Sequence, residues 1–300
     1  MEAYFAEVFV KYIASLFVFL GSVVASAQVP HFKHVVVVVE ENHSYSHVIG
    51  NPAMPYLDHL ANMYGLAKDY YANRHPSIGN YFMLTTGKII TNNDGYTGVL
   101  TGSNVVQRLL TAGRSWKVYA ESLPYTGYIG GDRFPYLKHH NPFAYFSDVR
   151  NSSTQRSHIV STTHLSTDLS NNALPNYAFI VPNVLHDAHN CPYGGTCSDS
   201  LKLSVADSWL KTHVGPILSN PSFKASGVLV IVFDESTTSD TAHGGGHVAA
   251  VVVSSLSKWG YRSTMFHQHQ SVLKMACSAL SLSSCPGAAA SASTMSEFFR

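Results

Sequence analysis

Acidic, amide and imidazole side chains gather at three points in this sequence, each just beyond an apolar run. Glu40, Glu41 and Asn42 follow the run Val35 to Val39. His186, Asp187 and His189 come soon after "YAFIV" (Tyr177 to Val181). Asp234 and Glu235 follow "VLVIVF" (Val228 to Phe233), with His243 and His247 close behind in "HGGGH". Crowded carboxylates repel one another and lose hydration at heavy cost unless a cation sits among them. No Lys or Arg occurs within these clusters, so a divalent metal ion is the simplest partner. Asp, Glu, Asn and His supply the oxygen and imidazole ligands suited to Zn, Fe, Mn, Mg or Ca, and ligand type alone does not choose between them. Taken singly, such a cluster is more often a turn, a helix cap or a solvated loop than a set of ligands. Their shared placement after apolar runs is what points to one site.

A hydroxyl joins this set in "RHPSIGNYFMLTTG", Arg74 to Gly87. Pro76 fixes the backbone ahead of Ser77, which stands where a helix N-cap would be, and Gly87 closes the helix. There the hydroxyl faces unpaired backbone N–H groups and the positive end of the helix dipole. It can bind an anion or, beside a metal, lose its proton and attack one. Asn80, about one turn on, is placed to donate its amide to a phosphoryl oxygen. The simpler reading, Ser77 as a helix cap, stays open at this level.

Positioning such groups requires a sheet. The runs at His34–Val39, Trp116–Glu121, Tyr177–Val181, Val228–Phe233 and Val248–Ser254 read as core strands. Helical patterns fall between them in "MPYLDHLANMYG", "IGNYFMLTTG", "NVVQRLLTAG" and "SVADSWLKTHVGPIL". Strands alternating with helices imply a mostly parallel α/β sheet covered on both faces, whose ligands gather beyond the carboxyl ends of the strands. Residues 122–176, rich in Tyr, His, Asn and Ser, read as inserted loops over the sheet edge.

The chain of 300 residues can bury a sizeable core, and residues 28–300 read as a single catalytic domain. With 19 basic and 18 acidic side chains, it carries no electrostatic footprint for nucleic acid. The 17 histidines are the unusual count, since His is the commonest metal ligand. Residues 1–27 read as a secretory signal peptide, with the small-x-small sequence Ala25-Ser26-Ala27 as its cleavage site. A secreted or periplasmic protein with no stable membrane span in the mature chain follows. Cys191 with Cys197, and Cys277 with Cys285, then read as short-loop disulfides. A four-thiolate zinc site would want C-x2-C spacing, which is absent.

The ordered segments "VVVVVEENHSY", "HPSIGNYFMLTTG", "SWKVYAES", "PNVLHDAHNC", "VFDES" and "GGGHVAAVVVS" resemble the motifs of the bacterial phosphoesterase family that includes acid phosphatases and phospholipases C, within the alkaline-phosphatase-like superfamily. The resemblance runs from about residue 34 to the C-terminal "SEFF". It implies a three-layer sandwich, with a mostly parallel central sheet between helical layers, and metal-assisted hydrolysis of phosphoric esters. It matches Glu41 and Asn42, and Asp234 and Glu235, to the family's metal-binding acidic segments. It places Ser77 at the nucleophile and Asn80 in the phosphate slot, with Gly79 standing where proline is usual. His186, Asp187, His189, His243 and His247 are the further candidates for metal or phosphate binding. A phosphomonoesterase of the acid phosphatase kind is the leading expectation, acting on a small phosphoester or a lipid headgroup. A phospholipase C-type phosphodiesterase is the close alternative. An exported metal- or anion-binding protein without turnover is the rival from another class, but it would have no need of a serine at a helix start.

Overall fold

The computed structural model describes residues 28–300, so the expected signal segment lies outside the described residues. The strands, in chain order, are β1 (His34–Glu40), β2 (Gly65–Ala67), β3 (Tyr70–Tyr71), β4 (Trp116–Ala120), β5 (Ile159–Ser161), β6 (Tyr177–Val181), β7 (Gly227–Phe233), β8 (Ala250–Ser254), β9 (Tyr261–Ser263) and β10 (His267–Gln268). Eight of them form one sheet in the order β5-β4-β6-β1-β7-β8-β2-β9, while β3 and β10 make a small separate pair. All neighbours in the large sheet are parallel except those of β8, which runs against β7 and β2. The expected mostly parallel α/β sheet is therefore the observed one.

Every residue of β1 is buried, which is why its sequence is an unbroken β-branched run rather than an alternating one. Its register against β7 pairs Val39 with Val232 and Glu40 with Phe233, so Glu41 and Asp234 leave the sheet side by side. On the other flank Val38 pairs with Ile180 of β6, and the turn after β6 returns so that the Glu41 N–H donates to the Asp187 carbonyl at 2.8 Å. Parallel pairing in this register carries three acidic segments to one edge.

The longer helices are α1 (Pro55–Met63), α2 (Ile78–Thr86), α3 (Val105–Thr111), α4 (Thr163–Ser170), α5 (Asp199–Ser219) and α6 (His269–Ala279). Successive strand residues point to opposite faces, and the end of β1 makes the layering explicit. The Glu40 carboxyl lies in the field of Asp207 on α5, whereas Glu41, continuing the strand, meets Tyr81 on α2. The α5 side also holds α1 and α4, and α2 packs with α6 on the other side.

Residues 122–176 are not the loops their weak periodicity implies. They contain the edge strand β5 and helix α4, preceded by single-turn helices too short to leave a periodic signal. Helix α5 starts earlier than its apolar pattern, because the Ser198 side chain caps it by accepting from the Leu201 N–H. Both cysteine pairs, Cys191–Cys197 and Cys277–Cys285, are bonded as the spacing implies. No described helix is long and apolar enough to cross a membrane.

Candidate active site

Helix α2 begins directly over the carboxyl end of β1. Ser77 is its N-terminal residue but makes no capping bond, because its own backbone is already helical. Its hydroxyl instead donates to Glu41 Oε2 at 3.1 Å. Tyr81, four residues on and therefore on the same helix face, donates to Glu41 Oε1 at 2.6 Å. Both oxygens of one carboxylate are thus held by hydroxyls a turn apart. The Tyr81 ring stacks on His140, with centroids 5.0 Å apart.

His140 lies between two carboxylates, Nε2 at 3.3 Å from Glu41 Oε1 and Nδ1 at 3.6 Å from Asp187 Oδ2. Ligand atoms of Glu41, His140 and Asp187 all fall within 4.8 Å of one another, close enough to share one ion. Asn42 joins this trio to the second acidic segment. Its backbone is left-handed (φ 50°), a conformation Asn tolerates better than most residues. Its backbone N–H donates to Asp234 Oδ1 at 3.1 Å. Its amide NH2 donates to Glu41 Oε2 (3.0 Å) and Glu235 Oε1 (3.2 Å), and its amide oxygen accepts from His189 Nε2 at 2.9 Å. Beyond Glu235, His75 places Nδ1 3.2 Å from Oε2 and Nε2 2.9 Å from the Asp240 carbonyl. His269, behind the site, meets the Asp234 carbonyl at 2.6 Å and the Tyr70 hydroxyl at 3.0 Å.

The electrostatics of this wall call for a cation. Glu41, Asp187, Asp234 and Glu235 are all at most 3% exposed. Burial, the largest cause, raises all four carboxyls above their ordinary range. Neighbouring carboxylates add to the rise, with Asp234 and Asp187 acting on Glu41, and Glu235 acting on Asp234. Asp187 Oδ2 and Asp234 Oδ2 have no hydrogen-bond partner, and Glu235 Oε2 faces only His75. No Lys or Arg pairs with any of the four among the described residues. Burial also drives the His140 imidazole well below its usual value, leaving it neutral and fit to ligate. Orphaned oxygens, absent cations and a neutral imidazole are together the donor set a divalent ion requires.

The sequence candidates divide accordingly. Glu41, Asn42, Ser77, Asp187, His189, Asp234 and Glu235 converge. Asn80 turns toward the preceding loop, accepting from the Asn73 and Arg74 N–H groups at 3.0 and 3.1 Å and donating to the Arg74 carbonyl at 2.6 Å. Its carboxamide braces the segment before Ser77. His186 is drawn off to Glu121, 2.9 Å away. His243 and His247 stand apart because the glycine turn 244–246, with φ of 108° at Gly244 and 80° at Gly246, carries them away from the strand ends. His243 packs at a tilt against Tyr71 and Phe266, and His247 donates to the Lys68 carbonyl at 3.0 Å. His140, Tyr81 and His75 are the site residues that the sequence reading passes over. Tyr81 carried a usable signal, its four-residue spacing from Ser77. His140 carried little more than its place in the Tyr- and His-rich insert.

Against known proteins, the chain is 28% identical over 228 residues to a protein of Kluyveromyces lactis named probable acid phosphatase, covering 73% of this chain and 51% of that one. It is 29% identical over 231 residues to a Mycobacterium tuberculosis protein named phosphatidylinositol-3-phosphatase, covering 75% of this chain and 72% of the other. The chain spans about half the length of the fungal relative. A crystal structure from Vibrio parahaemolyticus, described as a protein in the alkaline phosphatase superfamily, superposes with a TM-score of 0.56 at 14% identity, covering 90% of this chain and 69% of that one. At that identity the likeness is one of fold, and it agrees with the sheet and layers seen here. The sequence pattern of the Phosphoesterase family matches residues 51–279. A match over that span, on a fold of this superfamily, makes the chain a member of the Phosphoesterase family.

Proposed function

We propose that the chain is a metal-dependent phosphoric ester hydrolase, a phosphomonoesterase of the acid phosphatase kind with Ser77 as its nucleophile. The observation that carries this reading is the Ser77 hydroxyl, free of any capping role and 3.1 Å from a buried carboxylate, at the edge of an acidic wall without Lys or Arg. A protein that only held a metal would not need that hydroxyl at a helix start. Relatives named as phosphatases support a monoester substrate, either a small phosphoester or a phosphorylated lipid headgroup. The two disulfides support an oxidising compartment, consistent with export.

Glu41, His140 and Asp187 are the residues that would hold a divalent ion, with Asn42, Asp234 and Glu235 beside them. When bound, such an ion neutralises the carboxylates and lends Lewis-acid stabilisation to phosphoryl oxygens. The remaining chemistry belongs to the chain. Ser77 Oγ forms a bond to phosphorus while the bond from phosphorus to the leaving oxygen breaks. The serine proton passes to Glu41 Oε2, its nearest acceptor, and the leaving oxygen takes a proton from solvent to depart as an alcohol. Water then attacks the phosphoserine as its P–Oγ bond breaks; Glu41 returns its proton to Ser77, the attacking water loses one to solvent, and inorganic phosphate is released. Tyr81 holds the other oxygen of Glu41, fixing that carboxylate for both steps.

Elemental analysis of the purified protein, followed by exhaustive chelation and assay on p-nitrophenyl phosphate and bis-p-nitrophenyl phosphate, tests the proposal. We expect a bound divalent metal, loss of monoesterase activity on chelation, and recovery on metal addition. Undiminished activity in metal-free protein would overturn metal dependence, and hydrolysis of the diester alone would overturn the substrate class.

A further inference from the structure

A cavity among the described residues lies away from the acidic wall, where β4 and β5 end against α4 and α5. It encloses about 510 Å³, within the range of about 300–1,000 Å³ typical of small-molecule sites. None of Glu41, His140, Asp187, Asp234 or Ser77 lines it. Its chemistry differs from that of the active site in a way that selects a ligand.

Hydroxyls from all the surrounding elements line it, among them Ser122, Ser161, Thr162, Ser166 and Thr212. Thr162, the residue before α4, makes no capping bond and is only 6% exposed. The apolar part of the lining is supplied by Leu165, Leu169 and Pro216. No Lys or Arg lines the cavity, and its one imidazole, His213, turns Nδ1 to the Trp209 carbonyl at 3.0 Å, so the lining holds no fixed positive charge to favour a phosphate. The one carboxylate, Glu121, is already engaged. It takes hydrogen bonds from His186 Nδ1 at 2.9 Å and from the Asn183 N–H at 2.9 Å, so it calls for no cationic ligand. What remains is a neutral molecule with hydroxyls around its rim and a C–H face for the leucines. Sugar and cyclitol rings have that form.

We propose that this cleft is a binding site for a neutral polyhydroxylated ring, a sugar or a cyclitol, separate from the phosphoester site. Each hydroxyl of the lining retains acceptor capacity beyond its own contacts, as with Thr212 and Ser166, which donate to the Ser208 and Thr163 carbonyls. The inference does not depend on the proposed hydrolysis, since it rests on the lining alone.

The test is titration calorimetry of the purified full chain with D-glucose and with myo-inositol, repeated with saturating inorganic phosphate present. Ser166→Phe and Thr212→Phe each place a ring into the cleft from an exposed position, so either suffices should the other fail to fold. We expect saturable binding of at least one ring by the wild type, unaffected by phosphate. Affinity should fall at least tenfold in the filling variants, with p-nitrophenyl phosphate turnover unchanged. Absence of saturable binding of both rings, displacement by phosphate, or wild-type affinity in the folded filling variants would each overturn the proposal.

Discussion

Glu41 gathers more of the site than any other residue. It accepts from Ser77, Tyr81 and Asn42, sits against His140, and lies in the field of Asp187 and Asp234. Removing a hydrogen bond to a charged acceptor costs about 1.5–3 kcal/mol, so Tyr81→Phe should lower kcat by roughly tenfold or more while metal content holds. Wild-type kcat in Tyr81→Phe would show that the bond does not matter to turnover. Asp234→Asn keeps the shape and removes a charge, so metal content and turnover should fall together, as elemental analysis and assay would report. His140→Ala should do the same, because it removes the only imidazole in the trio. The carboxylates of this site were legible because acids after apolar runs have no structural excuse. Tyr81 and His140 were not, since a tyrosine inside a buried helix looks like core and a histidine in an irregular insert looks like surface. Spacing and the family resemblance both point Asn80 at phosphate, and neither reveals that the loop before it takes its amide.

At the scale of elements, the segment after β7 is shaped by its glycines. A Cβ on Gly246 would run into Ser236 Oγ, and its φ of 80° is a conformation that L side chains rarely adopt. Gly246→Ala should therefore cost on the order of 1–3 kcal/mol of stability and disturb the Asp240 carbonyl that His75 contacts. A melting temperature equal to the wild type would contradict this. The Glu121–His186 pair makes a pH-dependent contribution whose sign is fixed. Burial pushes Glu121 up, but hydrogen bonds from His186 and the Asn183 N–H outweigh it and hold the carboxyl below its ordinary 4.5. The hydrogen bond to Glu121 raises His186 above 6.5 against the effect of burial. The glutamate's contribution is present above 4.5 and lost as pH falls through its lowered value. The histidine's contribution is complete below 6.5 and lost as pH rises through its raised value. The pair is therefore strongest between those values. The difference in melting temperature between wild type and Glu121→Gln should be larger near pH 5.5 than near pH 8.5, and an equal difference would remove the pair from the account. Core strands were legible from their β-branched runs. The edge strands β5 and β9 and their short companion β2, each of three residues, are too short to carry a pattern.

For the molecule as a whole, the decisive fact is register. Parallel pairing of β1 with β6 and β7 brings segments near residues 41, 187 and 234 to one edge, and α2 sets a serine over them. That convergence was foreseeable from the recurrence of acids after strands, although the insert that supplies His140 was not. The central claim is that the serine, and not water alone, attacks phosphorus. Acid quench of the purified protein during turnover of a 32P-labelled phosphomonoester, followed by peptide mapping, tests it most directly. The account predicts label on Ser77, absent in Ser77→Ala, whose turnover falls by several powers of ten while its metal content stays near that of the wild type. Hydrolysis by Ser77→Ala at a near wild-type rate, with no labelled serine in the wild type, would contradict it.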